Sequence, residues 1–463
     1  MNQTLLRAYY GLPYPLKVTL ATLRGAQLNR WRYGPETDHL MAEALERESW
    51  SRERWAAWQQ ERLAFVLHRA ATQVPYYREQ WAARRAASDR APWEYLENWP
   101  ILTKEALRHA PEAFLADDTR HGALYEGHTS GTTGATLRLF AGRDVMRHYW
   151  ALVRARRVLW NGLSPQDPWA IVGGQLVTAI ERQRPPFWVW NAASQELYLS
   201  SYHLMPTAIA AYVQALRHYN VRYLVGYASS LYSLAYLARE KGIALPHIAL
   251  AVSNAEPLYD YQRQAIVTGL GCRVQDTYGM GEMACAASEC THGRLHLWPE
   301  VGFVEVLDRD EPQPLPRGQV GRLVCTGLIN TNMMLIRYQV GDTGALAPQD
   351  SPCACGRAMP HLAQVEGRLD DVVITPDGRR VGRLDPVFKS DLHIQEAQIV
   401  QEQADTLTVR LVPGQGFSDE DGRRLIHELS LRVGDMHISL EPVEHIERGA
   451  NGKFRAVVSR LGR

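Results

Sequence analysis

Lysine is scarce in this chain of 463 residues. It occurs at Lys17, Lys104, Lys241, Lys389 and Lys453, and arginine supplies the rest of the 51 basic residues. The bias reads as genomic composition, yet it leaves any chemistry that needs an ammonium group few candidates. Excess charge of one sign is also lacking. The 50 acidic residues bring the net charge to +1, so no nucleic acid or other polyanion is indicated as a partner. No apolar run reaches the ~18 residues of a membrane span, and no stable membrane insertion is expected. The N-terminus lacks the basic-then-apolar plan of a signal peptide. Six cysteines are too few for a disulfide scaffold in a chain of this length. Reduced thiols and a cytoplasmic location follow as the default. The mildly amphipathic stretch "YYGLPYPLKVTLATLRG" fits a helix packed on the body better than one lying on a membrane surface.

What is present is an ordinary globular composition, 46% apolar and 22% charged, with length for two or three domains. Residues 40–80 read as helices. Ser51 is a candidate N-cap, and Trp55, Trp58, Ala64, Leu67 and Ala71 fall near helical spacing. Residues 120–330 alternate strand-like and helix-like runs: "YLVGY", then "SSLYSLAYLAREKG" ending at Gly242, then "IALAVSNAEPL". That alternation predicts a parallel sheet with crossover helices. From about residue 301 short strands between Gly and Pro suggest a smaller β subdomain. The tail holds "TLTVRLVP" and a helix over "SDEDGRRLIHELSLRVG". The expected fold class is α/β. A large domain over 1–369 carries mixed and parallel sheets plus the β subdomain, and a small, mobile α+β domain spans 370–463.

The stretch "GHTSGTTGAT", residues 127–136, poses the first chemical question. Three glycines, four threonines and a serine offer backbone N–H groups and hydroxyls at little steric cost. Such a loop suits a phosphate, but it also suits a plain hairpin, and it lacks the lysine of a Walker-type loop. Four later segments bear on the choice: "DTYGMGEM" (276–283), "RYQVGD" (337–342), "GRLDD" (367–371) and "GANGKFR" (449–455).

In this order and spacing the five motifs resemble the adenylate-forming enzymes, which include acyl- and aryl-CoA ligases, peptide-synthetase adenylation domains and luciferases. The resemblance covers roughly residues 50–460. It looks closest to the phenylacetate–CoA ligase-like proteins, and "LPYPLKV…LRG…RWRYGPET" with "VPYYREQW" looks like the CapK-type proteins found with polysaccharide genes. It implies a domain carrying ATP chemistry and a C-terminal lid carrying a catalytic lysine. Thr129, Ser130, Gly131, Thr132, Thr133 and Gly134 would wrap the ATP phosphates. Glu282 would hold Mg²⁺, a hard cation that prefers carboxylate oxygen. Asp342 and Arg368 would reach the ribose. Lys453 would bind the carboxylate and α-phosphate during adenylation. Asp370 would be the hinge on which the lid turns. Asn254, Ala255, Glu256 and Pro257 are candidate adenine contacts, with Asp276, Thr277, Tyr278 and Gly279 beside them. Tyr227, Ala228, Ser229 and Gly281 are candidate walls of the acid pocket, the first three because open α/β sheets bind ligands at strand ends.

Two departures from that pattern stand out. Ala135 and Thr136 follow the loop where relatives carry Lys or Thr and then Pro, so a cation near the γ-phosphate is missing unless Arg138 or Arg143 compensates. Gly281 replaces a threonine. A separate signal is "ECTHGRLHLWPE" with "SPCACGRAMP". Cys290, His296, Cys353 and Cys355 make a candidate tetrahedral zinc set of structural type, with His292 or Cys285 as substitutes, while unrelated reduced thiols are the bland alternative. Cys272 and Cys325 read as core.

The resemblance implies ATP- and Mg²⁺-dependent activation of a carboxylic acid, then transfer to coenzyme A. Transfer to a carrier protein, or to an amine or hydroxyl of a metabolite, is the alternative. A non-catalytic nucleotide- and zinc-binding protein is the third reading, motivated by Gly281 and Ala135. Relatives suggest a possible homodimer. The acid itself is not legible.

Overall fold

The computed structural model describes residues 3–129, 137–175, 177–349, 351–368, 373–376, 380–381, 384, 392–449 and 453–461. Ser130, Gly131, Thr132, Thr133, Gly134, Ala135, Thr136 and Asp370 therefore lie outside the described residues.

Helices open the chain: α1 (Gln3–Gly11), α2 (Tyr14–Arg32), α3 (Thr37–Arg47), α4 (Arg52–Gln73), α5 (Pro75–Ala86) and α6 (Lys104–His109). Proline sits in the first turn of α2 and of α5, where its missing N–H costs nothing. The Ser51 hydroxyl accepts from the Arg54 N–H at 3.3 Å and caps α4. That helix buries Trp55, Val66, Leu67, Ala70 and Ala71. Ala64 instead faces solvent, so the buried stripe is shifted from the expected spacing. A hairpin follows, β1 (Tyr125–His128) against β2 (Arg138–Ala141). Then comes α7 (Arg143–Val153), which runs into one wider π turn at Arg154–Val158.

The large sheet has twelve strands. They are β3 (Trp169–Gly173), β4 (Trp188–Asn191), β5 (Glu196–Ser200), β6 (Tyr223–Tyr227), β7 (Leu250–Asn254), β8 (Arg273–Gly279), β9 (Ala286–Glu289), β10 (Leu295–Leu297), β11 (Gly302–Leu307), β12 (Gly321–Gly327), β13 (Tyr338–Leu346) and β14 (His361–Arg368). Their spatial order is β11-β12-β13-β14-β10-β9-β8-β7-β6-β3-β5-β4. The run from β5 to β8 is parallel. Its crossovers are α8 (Ile209–His218), α9 (Ala228–Glu240) and α10 (Asp260–Leu270), the arrangement the alternating pattern predicts. The antiparallel strands expected as a subdomain continue this same sheet through the β8–β9 pairing.

Strand β7 is buried from Leu250 to Ser253, so it reads as a continuous apolar run rather than an alternating one. Helix α2 packs on β4 through Gly25, where an added Cβ would lie 2.2 Å from the Asn191 side chain. Leu16, Leu20 and Leu23 face outward from that helix, so the packed face is not the most apolar one.

Beyond these lie β15 (Val373–Ile374), β16 (Arg380–Val381), β17 (Ile394–Gln403), β18 (Thr406–Pro413), α11 (Asp419–Val433), β19 (His437–Pro442) and β20 (Val457–Ser459). Four of the strands form a sheet ordered β19-β18-β17-β20. Ser418 and Asp421 close a capping box at the start of α11. Ile399, Leu407, Val409, Leu411, Leu425 and Leu429 form a core of their own, separate from the cores of the large sheet.

Candidate active site and metal cluster

A cleft of about 1090 Å³ opens where the parallel strands end, and Lys453 of the C-terminal lobe closes over it. Strands β7 and β8 are parallel neighbours, so their C-terminal ends deliver Asn254 and the segment Asp276–Gly279 to one edge, where such sheets bind ligands. Ala255 (φ 61°) and Met283 (φ 53°) hold left-handed backbone. Side-chain-bearing residues adopt that region at a cost, and such strain gathers at functional turns.

Thr129, Glu282, Asp342 and Lys453 all line this cleft. The Thr129 N–H donates to the Leu137 carbonyl, and its hydroxyl accepts from the Leu137 N–H, both at 3.1 Å. Thr129 and Leu137, the described residues on either side of 130–136, are thereby held together. Buried Glu282 accepts from the Tyr338 hydroxyl at 2.9 Å and lies 3.5 Å from the Lys104 ammonium. The Tyr278 hydroxyl donates to Asp342 at 2.8 Å. Burial, then the Asp342 charge, pushes that phenol well above its usual range. Arg368 sits opposite Asp342 in the β13–β14 register.

Glu256 ties the lobes together. It accepts from the Ser229 N–H at 3.0 Å, at the start of α9, and from the N–H of Phe454, the neighbour of Lys453. Burial raises its carboxyl above the usual range. The Asp276 carboxyl is pushed up to about 7, first by burial, then by the Glu289 charge, against Arg263. Thr277 donates its hydroxyl to the Ser253 carbonyl at 2.7 Å, locking β8 to β7. Asn254, Ala255, Pro257, Gly279 and Gly281 also line the cleft. A Cβ on Gly281 would make ordinary contacts, 3.5 Å from Thr129 and 3.6 Å from Leu139, so space for a side chain exists there.

Three candidates fall elsewhere. Tyr227, Ala228 and Ser229 are not among the residues facing the cleft. Strand β6 passes straight into α9, whose first turn is buried, and Ser229 contributes only its backbone N–H to Glu256. The candidate compensating cations also fail. Arg138 pairs with Glu126 and Glu112, Arg143 stacks 5.1 Å from the Trp31 ring centroid, and neither lines the cleft. Lys104 does; its scarcity as a residue type was the available signal. The inner wall that sequence reasoning missed comes from β2 and α7: Phe140, Met146, Tyr149 and Trp150, with Arg157 beyond them.

Residues 373–460 match the family model of the CapK C-terminal domain. The Staphylococcus aureus protein CapK is 24% identical over 377 residues, 78% of this chain and 80% of that protein. The chain is a relative of CapK and of the phenylacetate–CoA ligases. The phenylacetate–coenzyme A ligase of Aromatoleum evansii is 25% identical over 443 residues, 89% of this chain and 96% of that enzyme. The fold is that of the adenylate-forming ligases. The solved structure of 2-hydroxyisobutyryl-CoA ligase in its postadenylation state superposes with a TM-score of 0.68 at 22% identity, over 89% of this chain and 91% of that one. The thioesterification state of the same ligase reaches 0.53 at 23% identity, over 88% and 90%. In this CapK relative Lys453 lies at the cleft.

Cys290, His296, Cys353 and Cys355 place their ligand atoms within 4.8 Å of one another. Cys290 follows β9 and His296 lies in β10, while the other two come from the loop before β14. Cys290 and Cys353 sulfurs are 3.6 Å apart, and Cys355 Sγ is 3.3 Å from His296 Nε2. Those spacings approach the edges of a tetrahedron built on metal–ligand bonds of ~2.0–2.3 Å. His296 Nδ1 lies 3.2 Å from the Met359 carbonyl. An Nδ1–H donated there leaves Nε2 free to bind a metal. The candidate substitutes take no part. His292 lies beside Thr291, 3.2 Å from its hydroxyl, and Cys285 hydrogen-bonds with Cys325.

Proposed function

We propose that this protein is an AMP-forming acid–thiol ligase. It would activate a carboxylic acid with ATP, release pyrophosphate, and transfer the acyl group to coenzyme A. The observation carrying this reading is the convergence of Thr129, Glu282, Asp342 and Lys453 on one cleft. Attack of a carboxylate on a phosphate brings two anions together, so catalysis depends on cations and N–H donors fixed around them. Lys453 would hold the acid carboxylate against the α-phosphate. Lys104, the second lysine of the cleft, would supply the cation that Ala135 does not. Asp342, oriented by Tyr278, would accept from the ribose hydroxyls, with Arg368 beside it.

Glu282 suits a magnesium ion by donor type. Its charge is here balanced by Lys104, which would yield to the ion. Magnesium would neutralise phosphate charge when bound. The cysteine–histidine set suits a structural zinc, because four protein ligands leave no open position for chemistry. Asp370 is proposed as the hinge between domains 1–369 and 370–463.

A second reading keeps the adenylation and changes the acceptor to a carrier-protein thiol or to a hydroxyl or amine. The CapK-type C-terminal domain supports it. The non-catalytic reading is less favoured, because both lysines and Glu282 remain in the cleft. Pyrophosphate release with a panel of aryl, fatty and hydroxy acids tests the enzyme. Lys453→Ala is expected to lower that release by about 100-fold or more while folding and metal content persist. Near-normal acyl-adenylate formation in the variant would refute the assigned role. Supplying coenzyme A, a carrier protein or an amine, and weighing the product, separates the acceptors.

A further inference from the structure

The inner wall of the cleft carries a cation that the proposed reaction does not use. Arg157 sits in the π turn that ends α7, and such turns recur at functional sites. The wider turn parts two successive arginines. Arg156 points inward, with two nitrogens on Glu300 at 2.9 Å each and Nε on Glu48 at 3.0 Å. Arg157 lines the cleft instead. Its Nε is sealed from solvent with no acceptor. No described carboxylate pairs with it, and those held by its neighbour are engaged: Glu300 by Arg156 and Arg47, Glu48 by Arg156 and Arg357. Its neighbours are aromatic, with the Trp298 ring 5.9 Å away and Tyr149 lining the same wall. A guanidinium stays charged under any ordinary condition, and a partly buried one without a counter-ion is costly unless a ligand provides it.

We propose that Arg157 is an anion subsite at the acyl end of the cleft, so that the acid carries a second anionic group remote from the carboxylate that is activated. Dicarboxylates and acids bearing a phosphate share this chemistry. The guanidinium's fork matches both bidentately. Arg32, stacked 4.0 Å over the Trp150 ring and also lining the cleft, adds positive potential to the same region. The proposal takes the acyl end from the ligase reading, so its test includes binding as well as turnover.

The experiment compares α,ω-dicarboxylates of graded length, and phosphorylated acids, with their uncharged half-esters or unphosphorylated counterparts. Calorimetry reads binding to the full-length protein, and pyrophosphate release reads adenylation. The anionic member of a fitting pair is expected to bind roughly 10- to 100-fold more tightly, the worth of a charged hydrogen-bonded contact. Arg157→Leu should erase that difference, and Arg157→Lys should keep part of it. Comparable melting of the variants excludes misfolding as the cause. Discrimination in binding without any pyrophosphate release would leave the subsite standing and sink the ligase reading. The proposal is overturned if no pair is discriminated, if Arg157→Leu keeps the discrimination, or if it weakens ATP rather than the acid.

Discussion

Asp276 shows how much one buried carboxyl at the cleft bears on stability. Its folded pKa, about 7, stands above the ordinary 3.8. Between those values the unfolded chain ionises while the folded one keeps its proton. Stability is therefore undiminished at acid pH, falls as pH rises toward 7, and levels off beyond. Asp276→Asn retains an acceptor for the Thr277 N–H, which Asp276 now supplies at 2.9 Å, but cannot ionise. Denaturant melts from pH 5 to 8 are expected to show a shallower decline in the variant, and equal slopes would show that Asp276 does not titrate in this window. The sequence motif placed Asp276 beside the nucleotide, but its protonation depends on Glu289 of a neighbouring strand and on burial, which no local pattern reports. The same holds for Lys104. Its rarity was legible; its 3.5 Å approach to Glu282 depends on where α6 docks. Glu282, Asp342 and Lys453 were named from short motifs that resemble those of a known family, and all three line the cleft.

Strands and helices whose pattern is local were legible as well. "YLVGY" is β6, and Gly242 (φ 62°) follows the end of α9. Legibility failed where an element's partner is set by topology. Tyr227, Ala228 and Ser229, named at the end of β6, do not line the cleft, whereas residues of α7, some 80 residues earlier, do. The cysteine–histidine cluster is the opposite case. The four cysteine and histidine residues named from the sequence do lie together, although 63 residues separate Cys290 from Cys353. Because the four ligands bridge β9, β10 and the loop before β14, metal would staple three strands of the antiparallel half. Cys355→Ser is expected to lower zinc from about one ion per chain to near none. The melting temperature should fall by ~5 °C or more, and metal analysis beside calorimetry checks both. Zinc retained at full content in the variant would exclude Cys355 as a ligand.

The whole molecule joins two bodies with separate cores, and among the described residues polar contacts link them. Ser233 reaches Glu396 at 3.3 Å, and Glu256 holds the Phe454 N–H. Interfaces of that kind permit domains to move. Weak coupling between two cores has a thermodynamic consequence. Heating should give two transitions rather than one, because cooperativity does not cross a small polar interface. Glu256→Ala removes one of these ties and should move the transitions further apart, whereas chelation should lower only that of the large domain, which holds all four candidate cysteine and histidine ligands. Scanning calorimetry of the intact chain decides it. A single transition whose calorimetric and van't Hoff enthalpies agree would mean that the lobes unfold as one unit. A lid free to leave Lys453's position would then need a cause other than a weak interface.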